Sequence, residues 1–545
     1  MAKKVFQKIG DILLRPFTEH FLFFILLCAL TICGHVMLFF NGNGEMSHKA
    51  AIASAMHCAS LSYIATLLIS IIRPKIARQI LQIAIILYAA FDFVLNFYCS
   101  FQLHNIVDND IALLIRETNP NEAREFFSSM VPTWMLLAIT GIFLLLIFCG
   151  WLFNRYKLKI NLGKKSSLCA LGLICICITG NLYQLGVWEL GPIAPAYYLT
   201  RHDEPSDLKA CFSHPQLTFD ENDELPTNVV IIIGESFTRC HSSLYGYDKL
   251  TNPQLTALKD SSLLFTFDSI NSPAPTTALS IRDMLSTFNL SDDKNKDIKW
   301  YDYISLIELM KESGYDSYWF GNQACMNKDN GTARIFAKTC DRQWFLQAEG
   351  IYDTGDKHYD IVLVDSSYQF IKQLSQKKKH SFFIYHLMGS HFLYKMRYPK
   401  EFAFFSEKDY LADPHDHREI LSTYDNSILY NDYVVNRIMD IFKNTESVVI
   451  YLPDHGQVMY RDPSNPDYYS HGTGNPVAHA LGVEIPFFVY ASPLFQQKYP
   501  QIMERIKNRQ ENPKSWNSED LPYFIMDLIG VKTINGEDIR PKSII

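Results

Sequence analysis

The sequence predicts a five-helix transmembrane domain followed by an α/β ectodomain with a mostly parallel sheet flanked by helices. Three observations carry that expectation. Membrane-length apolar stretches crowd the chain before about residue 190. Beyond them, short apolar runs alternate with helix-like stretches, the pattern of strands and crossover helices in one sheet. The first such run, Asn228-Val229-Val230-Ile231-Ile232-Ile233-Gly234-Glu235-Ser236, ends in a glycine, an acid and a serine. A buried parallel strand reads as a continuous oily run, and it delivers polar groups to a site at its carboxyl end.

A helix needs about 20 apolar residues to cross a bilayer. Residues 21–40, 51–72, 80–100, 132–153 and 166–186 each come close to that length, which makes five expected spans within a domain of residues 1–186. The first stretch is too long for a secretory signal and lacks a small-residue cleavage site. Lys3, Lys4, Lys8 and Arg15 precede the first span, Arg73, Lys75 and Arg78 separate the second and third, and Arg155, Lys157, Lys159, Lys164 and Lys165 separate the fourth and fifth. By the positive-inside rule these loops and the N-terminus are cytoplasmic. Five crossings then put everything after Gly186 outside. Asp92 and Asn96 lie within the third expected span, where polar groups are expected to face a bundle interior.

A net charge of -7 over 545 residues leaves no basic footprint, which sets nucleic-acid partners aside. Eight of the 12 cysteines fall in the expected spans, where a thiol behaves as a small apolar group. Cys211, Cys240, Cys325 and Cys340 remain for the exported part, whose compartment permits disulfides. Cys325 with Cys340 is the favoured pair, closing a modest loop.

Residues 187–227, with Pro192, Pro195, Pro205, Pro215 and Pro226 and no apolar period, read as a linker. From 228 to 545 the sequence reads as one catalytic domain. Strands are expected at 229–233, 263–267, 317–320, 382–385, 448–452 and 486–490, and helices at 303–312, 361–374, 420–442 and 521–529. The stretch 406–419, with Asp409, Asp413, His415, Asp416 and His417, reads as a solvated insertion.

Ligands of open α/β sheets bind outside the carboxyl ends of strands. Glu235 follows the first strand, His386 and His391 follow the 382–385 strand, and Asp454 and His455 follow the 448–452 strand, with His471 further on. Carboxylates mixed with imidazoles suit zinc.

Gly234-Glu235-Ser236-Phe237-Thr238-Arg239, followed by Ser243-Leu244-Tyr245-Gly246-Tyr247 and Thr251-Asn252-Pro253-Gln254-Leu255, resembles the opening of the catalytic domain of bacterial phosphoethanolamine transferases, members of the sulfatase and alkaline-phosphatase superfamily. The resemblance continues through Gly321-Asn322-Gln323, Gly389-Ser390-His391, Arg397-Tyr398-Pro399, Tyr424-Asp425-Asn426 and Asp454-His455-Gly456, nearly the whole ectodomain. It implies an ectodomain of alkaline-phosphatase/sulfatase type, and five amino-terminal spans fit the family's layout.

By this resemblance Glu235, Thr277, Asp454 and His455 hold one zinc ion, and Thr277, within Ser272-Pro273-Ala274-Pro275-Thr276-Thr277, is the nucleophile at the start of a helix. Thr276 is its rival, and capping the helix would also explain either residue. His391 and His471 then contact phosphate or a second zinc, with His479 as an alternative to His471. Asn322 and Gln323 match a region that contacts the phosphate group, and Lys328 would add positive charge there. In the 116–123 segment, Glu117 matches a loop that meets the donor head group, where it would pair with an ethanolamine ammonium. The donor implied is phosphatidylethanolamine, and the acceptor a lipopolysaccharide core sugar or lipid A. The lipid A-modifying members carry cysteines beside the nucleophile where this chain has Pro273 and Asp283. That departure brings the chain nearer the CptA-like branch, which modifies the core. The implied location is the bacterial inner membrane, with the catalytic domain in the periplasm.

Three other readings stand beside this one. A sulfatase activity requires a Cys/Ser-x-Pro-x-Arg signal, and Ser272-Pro273-Ala274-Pro275-Thr276 lacks both the proline and the arginine at their places. A glycerol-phosphate transferase of the lipoteichoic acid synthase type shares five spans and a threonine nucleophile. A non-catalytic membrane scaffold of the same fold requires no intact ligand set.

Overall fold

The computed structural model describes residues 2–545 except 42–44, 104–105, 108–110, 113, 116–117, 119–122, 125, 128–130, 156–160, 184–192, 201–211, 213, 220–224, 289–298, 324–330, 347–358, 375–379, 413–416, 473–475, 513–515 and 540–543. The chain divides into two compact units, one built mainly from Met1–Thr118 and Glu122–His202, the other mainly from Asp203–Gly472 and Pro476–Ile545.

The first unit is helical: α1 (Ala2–Thr18), α2 (Phe21–Asn41), α3 (Glu45–Ile71), α4 (Lys75–Tyr98), α5 (Thr133–Arg155) and α6 (Lys164–Tyr183). A helix therefore occupies each expected span. Among the described residues, Ala51–Ile71 and Lys75–Gln102 are long and apolar enough to cross a membrane. A third crossing is added if Lys4–Thr18 and Phe21–His35, bent by 62° at their junction, make one span. Among the described residues, two or three helices thus meet this test where the apolar stretches suggest five. The described apolar part of α5, Thr133–Leu145, is shorter than a crossing requires. Asp92 and Asn96 are buried, as polar groups in an apolar helix must be. The Asn96 amide donates to Asp92 Oδ1 at 2.9 Å, and its oxygen accepts from Val107 N at 3.1 Å.

The second unit is an α/β layered domain. Its strands are β1 (Leu217–Phe219), β2 (Asn228–Gly234), β3 (Leu264–Phe267), β4 (Asp316–Gly321), β5 (Arg342–Phe345), β6 (Ser381–His386), β7 (Ser447–Pro453), β8 (Phe487–Ala491), β9 (Val531–Ile534) and β10 (Glu537–Asp538). Seven form the main sheet in the order β3-β8-β7-β2-β6-β4-β5. β8 pairs antiparallel with both β3 and β7, so it alone opposes the other six. β2 lies at the centre and is buried at every position. Alternation along it feeds two cores: Val229, Ile231 and Ile233 join one apolar layer, Val230 and Ile232 the other. β1, β9 and β10 make a small antiparallel sheet, so residues 217–219 of the linker region pair with the far end of the chain.

Register aligns the carboxyl ends. Gly234 pairs with Pro453 and Ile233 with His386, while Gly321 also pairs with His386. The residues that follow, Glu235, Asp454, Leu387 and Asn322, therefore leave the sheet side by side. Among the helices around the sheet, α7 (Thr277–Met284) comes after β3 and α8 (Asp360–Leu374) before β6. A third, α9 (Arg418–Phe442), precedes β7 and carries the Tyr424-Asp425-Asn426 motif.

Each residue of that motif holds a different segment. Tyr424 Oη donates to Ser236 O at 2.7 Å and accepts from Thr238 N at 2.9 Å. Asp425 accepts from Tyr247 at 2.7 Å and from Tyr410, and meets His241 Nδ1 at 2.6 Å. Asn426 bonds both backbone groups of Phe405.

Cys340 is a free thiol, buried against Phe336 O, rather than half of a bridge. Its expected partner Cys325 lies outside the described residues, as do Cys211, Asp413, His415 and Asp416. His417 of the expected insertion ring-stacks on Tyr460 at 3.6 Å and meets Asp467 Oδ1 at 3.0 Å.

Candidate metal centre

Glu235 leaves β2 through a tight bend in which Ser236 adopts φ +57. Ser236 N donates to Asp454 Oδ1 at 3.1 Å and Ser236 Oγ to Glu235 Oε1 at 2.7 Å, so this one residue ties both strand-tip carboxylates. Asp454 Oδ1 also accepts from His455 N at 2.7 Å. His455 Nδ1 lies 2.8 Å from Gly456 O. Donation there requires the proton on Nδ1 and leaves the Nε2 lone pair free.

That nitrogen stands 3.5 Å from Glu235 Oε1 and 3.5 Å from Asp454 Oδ2. Ligand atoms of Glu235, Asp454 and His455 all lie within 4.8 Å of one another, and all three residues are buried. Asp454 Oδ2 and His455 Nε2 have no hydrogen-bond partner. Buried polar atoms without partners are costly, and a cation in their midst removes that cost. The donor set fits zinc: two carboxylates and an imidazole.

Electrostatics point the same way. Burial, and then the negative charge of Asp454, push the Glu235 carboxyl well above the usual range. Burial alone would raise Asp454 too, but neighbouring His455 and, after it, Glu235, Thr277 and the Ser236 N–H hold it below the usual range. Two carboxylates this close do not both ionise without a compensating charge.

Thr277 is the first residue of α7, and its Oγ1 lies 3.4 Å from Glu235 Oε2. Thr276 precedes the helix, and its Oγ1 is buried without a partner. Of the two hydroxyls, then, Thr277's is the one that meets the carboxylates. Gln323 Nε2 donates to the same Glu235 oxygen at 2.6 Å and to Leu387 O at 3.2 Å. Asn322 turns instead to Asp360, its amide 2.7 Å from Oδ1.

The His455 and His471 rings are 4.6 Å apart, and His391 lies close enough to both for charges on them to depress its own basicity. Desolvation first, then His455, brings the His471 imidazole to about 3. His391 is held well below its ordinary value by burial, then by Arg397, His471 and His455. The His391 and His471 imidazoles are therefore neutral at physiological pH. His386 is buried, its Nε2 without a partner, and burial lowers it to about 4. His479 sits exposed on a short helix, Pro476–Gly482. Glu117 and Lys328 lie outside the described residues.

Sequence reasoning missed Ser236 and Tyr424 as builders of this centre, and Asp360 altogether. Ser236 was legible only as part of a motif.

The sulfatase family pattern matches residues 227–531, the stretch that contains every residue of this site. The chain belongs to the sulfatase family. Among relatives of this sulfatase-family chain, the phosphoethanolamine transferase CptA of Salmonella typhimurium is 29% identical over 326 residues, 58% of this chain and 53% of CptA. The chain thus spans about half the length of that relative. The periplasmic domain of Escherichia coli EptC, solved in complex with Zn, superposes with a TM-score of 0.51 at 27% identity, covering 61% of this chain and 89% of that one. The integral membrane phosphoethanolamine transferase EptA of Neisseria meningitidis shares the fold over 94% of this chain and 96% of its own, with a TM-score of 0.62 at 18% identity. The resemblance read from the motifs is borne out: the chain is similar to phosphoethanolamine transferases, and its second unit has the alkaline-phosphatase/sulfatase architecture.

Proposed function

We propose that this chain is a zinc-dependent transferase that moves phosphoethanolamine from phosphatidylethanolamine to an envelope glycan, with Thr277 as nucleophile. The observation that carries the reading is the hydroxyl of Thr277 at 3.4 Å from Glu235, beside partnerless ligand atoms of Asp454 and His455. Glu235, Thr277, Asp454 and His455 would hold one zinc ion, and His391 with His471 would hold a second or the phosphate. Bound zinc supplies positive charge that lowers the pKa of a nearby hydroxyl and offsets charge developing on phosphorus. Similarity to a domain solved with Zn supports that choice of metal.

Two displacements make up the reaction. Thr277 Oγ1 attacks phosphorus in line as the bond to the diacylglycerol oxygen breaks; the hydroxyl proton passes to Glu235, and the departing oxygen takes a proton from water. This leaves phosphoethanolamine on Thr277. An acceptor hydroxyl then attacks the same phosphorus, His391 or His471 takes its proton as a neutral imidazole, and Glu235 returns its proton to Thr277 Oγ1 as the bond to phosphorus breaks. Asn322 and Gln323 would orient the phosphate, and Glu117 would pair with the ammonium. The donor's glycerol backbone stays in the bilayer, so the catalytic domain must work at its surface. Five spans, a cytoplasmic N-terminus and a periplasmic domain on the inner membrane meet that need.

The acceptor we infer is the lipopolysaccharide core rather than lipid A, because Pro273 and Asp283 stand where the lipid A-modifying members carry flanking cysteines. The test is to incubate the full-length protein with zinc and a fluorescent-tailed phosphatidylethanolamine. Release of labelled diacylglycerol is expected. Turnover of phosphatidylglycerol instead would identify a glycerol-phosphate transferase, and silence on every lipid a scaffold. Envelope glycolipids from cells with and without the protein identify the acceptor.

A further inference from the structure

Asp360 opens α8 and carries no motif. It is 4% exposed, and its carboxylate faces inward. One oxygen accepts from the Asn322 amide at 2.7 Å and from Met388 N at 2.9 Å, the other from Gly389 N at 2.9 Å. A buried carboxylate persists only where donors replace water, and here three do. Burial still pushes its carboxyl above the usual range, and the donors pull against that.

The bonded segments are the two strand tips that reach Glu235. Gly389 has φ +48, and a Cβ there would lie 2.8 Å from Glu235 N and 3.1 Å from Glu235 Cβ, so the loop backbone rests directly on Glu235. Ser390 N donates to Glu235 O at 3.0 Å. On the other side Asn322 precedes Gln323, whose amide bonds Glu235 Oε2 and Leu387 O. Every path from the Asp360 carboxylate ends on the same residue.

We propose that Asp360 is a positioning residue for the metal centre, clamping the Asn322-Gln323 and Met388-Gly389 segments around Glu235 while touching neither cation nor substrate. The inference rests on the proposed zinc site. Outer partners of metal ligands set ligand orientation, and losing them weakens metal binding. An asparagine at 360 would turn an amide group toward one of three donors and open the clamp.

Zinc affinity of the full-length protein, measured by chelator competition without lipid, tests this. Asp360→Asn is expected to weaken zinc binding about tenfold. Gly389→Ala, which keeps the Asp360 carboxylate but drives a Cβ into Glu235, is expected to weaken it as well. The control is Asp432, an equally buried carboxylate that accepts from Gln254 N and Leu255 N, each at 3.0 Å. Asp432→Asn is expected to lower the melting temperature and keep wild-type zinc affinity. Wild-type affinity in folded Asp360→Asn overturns the proposal. Where that variant does not fold, wild-type affinity in Gly389→Ala overturns it. An equal loss in Asp432→Asn also overturns it, by showing general loosening. A wild-type protein that binds no zinc overturns this inference with the transferase reading, whereas one that binds zinc but leaves phosphatidylethanolamine intact refutes only the latter.

Discussion

Replacing Thr277 with alanine separates a nucleophile from a structural residue, because the two roles predict opposite balances of activity and stability. The side chain's hydroxyl meets a carboxylate: Oγ1 lies 3.4 Å from Glu235 Oε2. A hydrogen bond contributes about 0.5–1.5 kcal/mol net, and at 3.4 Å this one belongs at the low end. Alanine in a helix recovers up to about 0.7 kcal/mol over threonine. Thr276, not Thr277, is the residue before the helix, so no cap is lost. The net change in stability should fall within about 1 kcal/mol of zero. Zinc should remain bound, since Glu235, Asp454 and His455 are untouched. Turnover, in contrast, should drop by at least about a thousandfold, as it does when a nucleophile is removed. The assay is release of fluorescent diacylglycerol, with metal content and melting temperature on the same preparation. Mass spectrometry of the unmutated protein should find phosphoethanolamine on Thr277. More than about a tenth of wild-type turnover in the variant, or an adduct on Thr276, refutes the assignment.

Tyr424→Phe removes no bulk but strips partners from Ser236 O and Thr238 N, two buried groups, at a cost of about 1–3 kcal/mol each; amide exchange at Thr238 should accelerate, and an unchanged rate argues against the clamp. Zinc at about a hundred times its dissociation constant should stabilise the ectodomain by about 2.7 kcal/mol. A melting temperature indifferent to zinc, or an equal rise in Asp454→Asn, means that the ion does not bind among these carboxylates. Gly456→Ala would place a Cβ 2.6 Å from Glu484 O in the loop that orients His455. Such overpacking typically costs about 1–3 kcal/mol, and zinc affinity should fall with it; a variant with wild-type affinity shows that the loop gives way without moving the imidazole.

What the sequence makes legible depends on burial. Strands β2, β3, β4, β6, β7 and β8 all appear within a residue or two of the expected apolar runs, because strands covered on both faces must be oily throughout. β5 escapes: Arg342, Gln343 and Trp344 are exposed at the sheet's edge, so no apolar run marks it. The small sheet escapes because its pairing joins Leu217–Phe219 to Val531–Ile534, more than 300 residues apart, and three residues carry no period. The reversed direction of β8 is equally silent, since the apolar pattern of a buried strand does not encode its sense.

The site shows the same division between what a strand end announces and what a fold assembles. Glu235, Asp454 and His455 are each the first or second residue beyond a buried strand, and a polar group there is a signal in itself. Asp360 is the opposite case. It opens a helix, where an acid is ordinary because it suits the positive end of the helix dipole, so nothing in its surroundings along the chain marks it as more than a local stabiliser. Its importance arises only when β4 and β6 pair, because Gly321 and His386 come into register and bring Asn322 and Met388 within reach of one carboxylate. The proposed ligand set can therefore be read from strand ends, whereas the groups proposed to hold it in place are products of register. For this chain, substitutions that disturb the pairing of β4 with β6 should weaken zinc binding even where none of the ligands is touched.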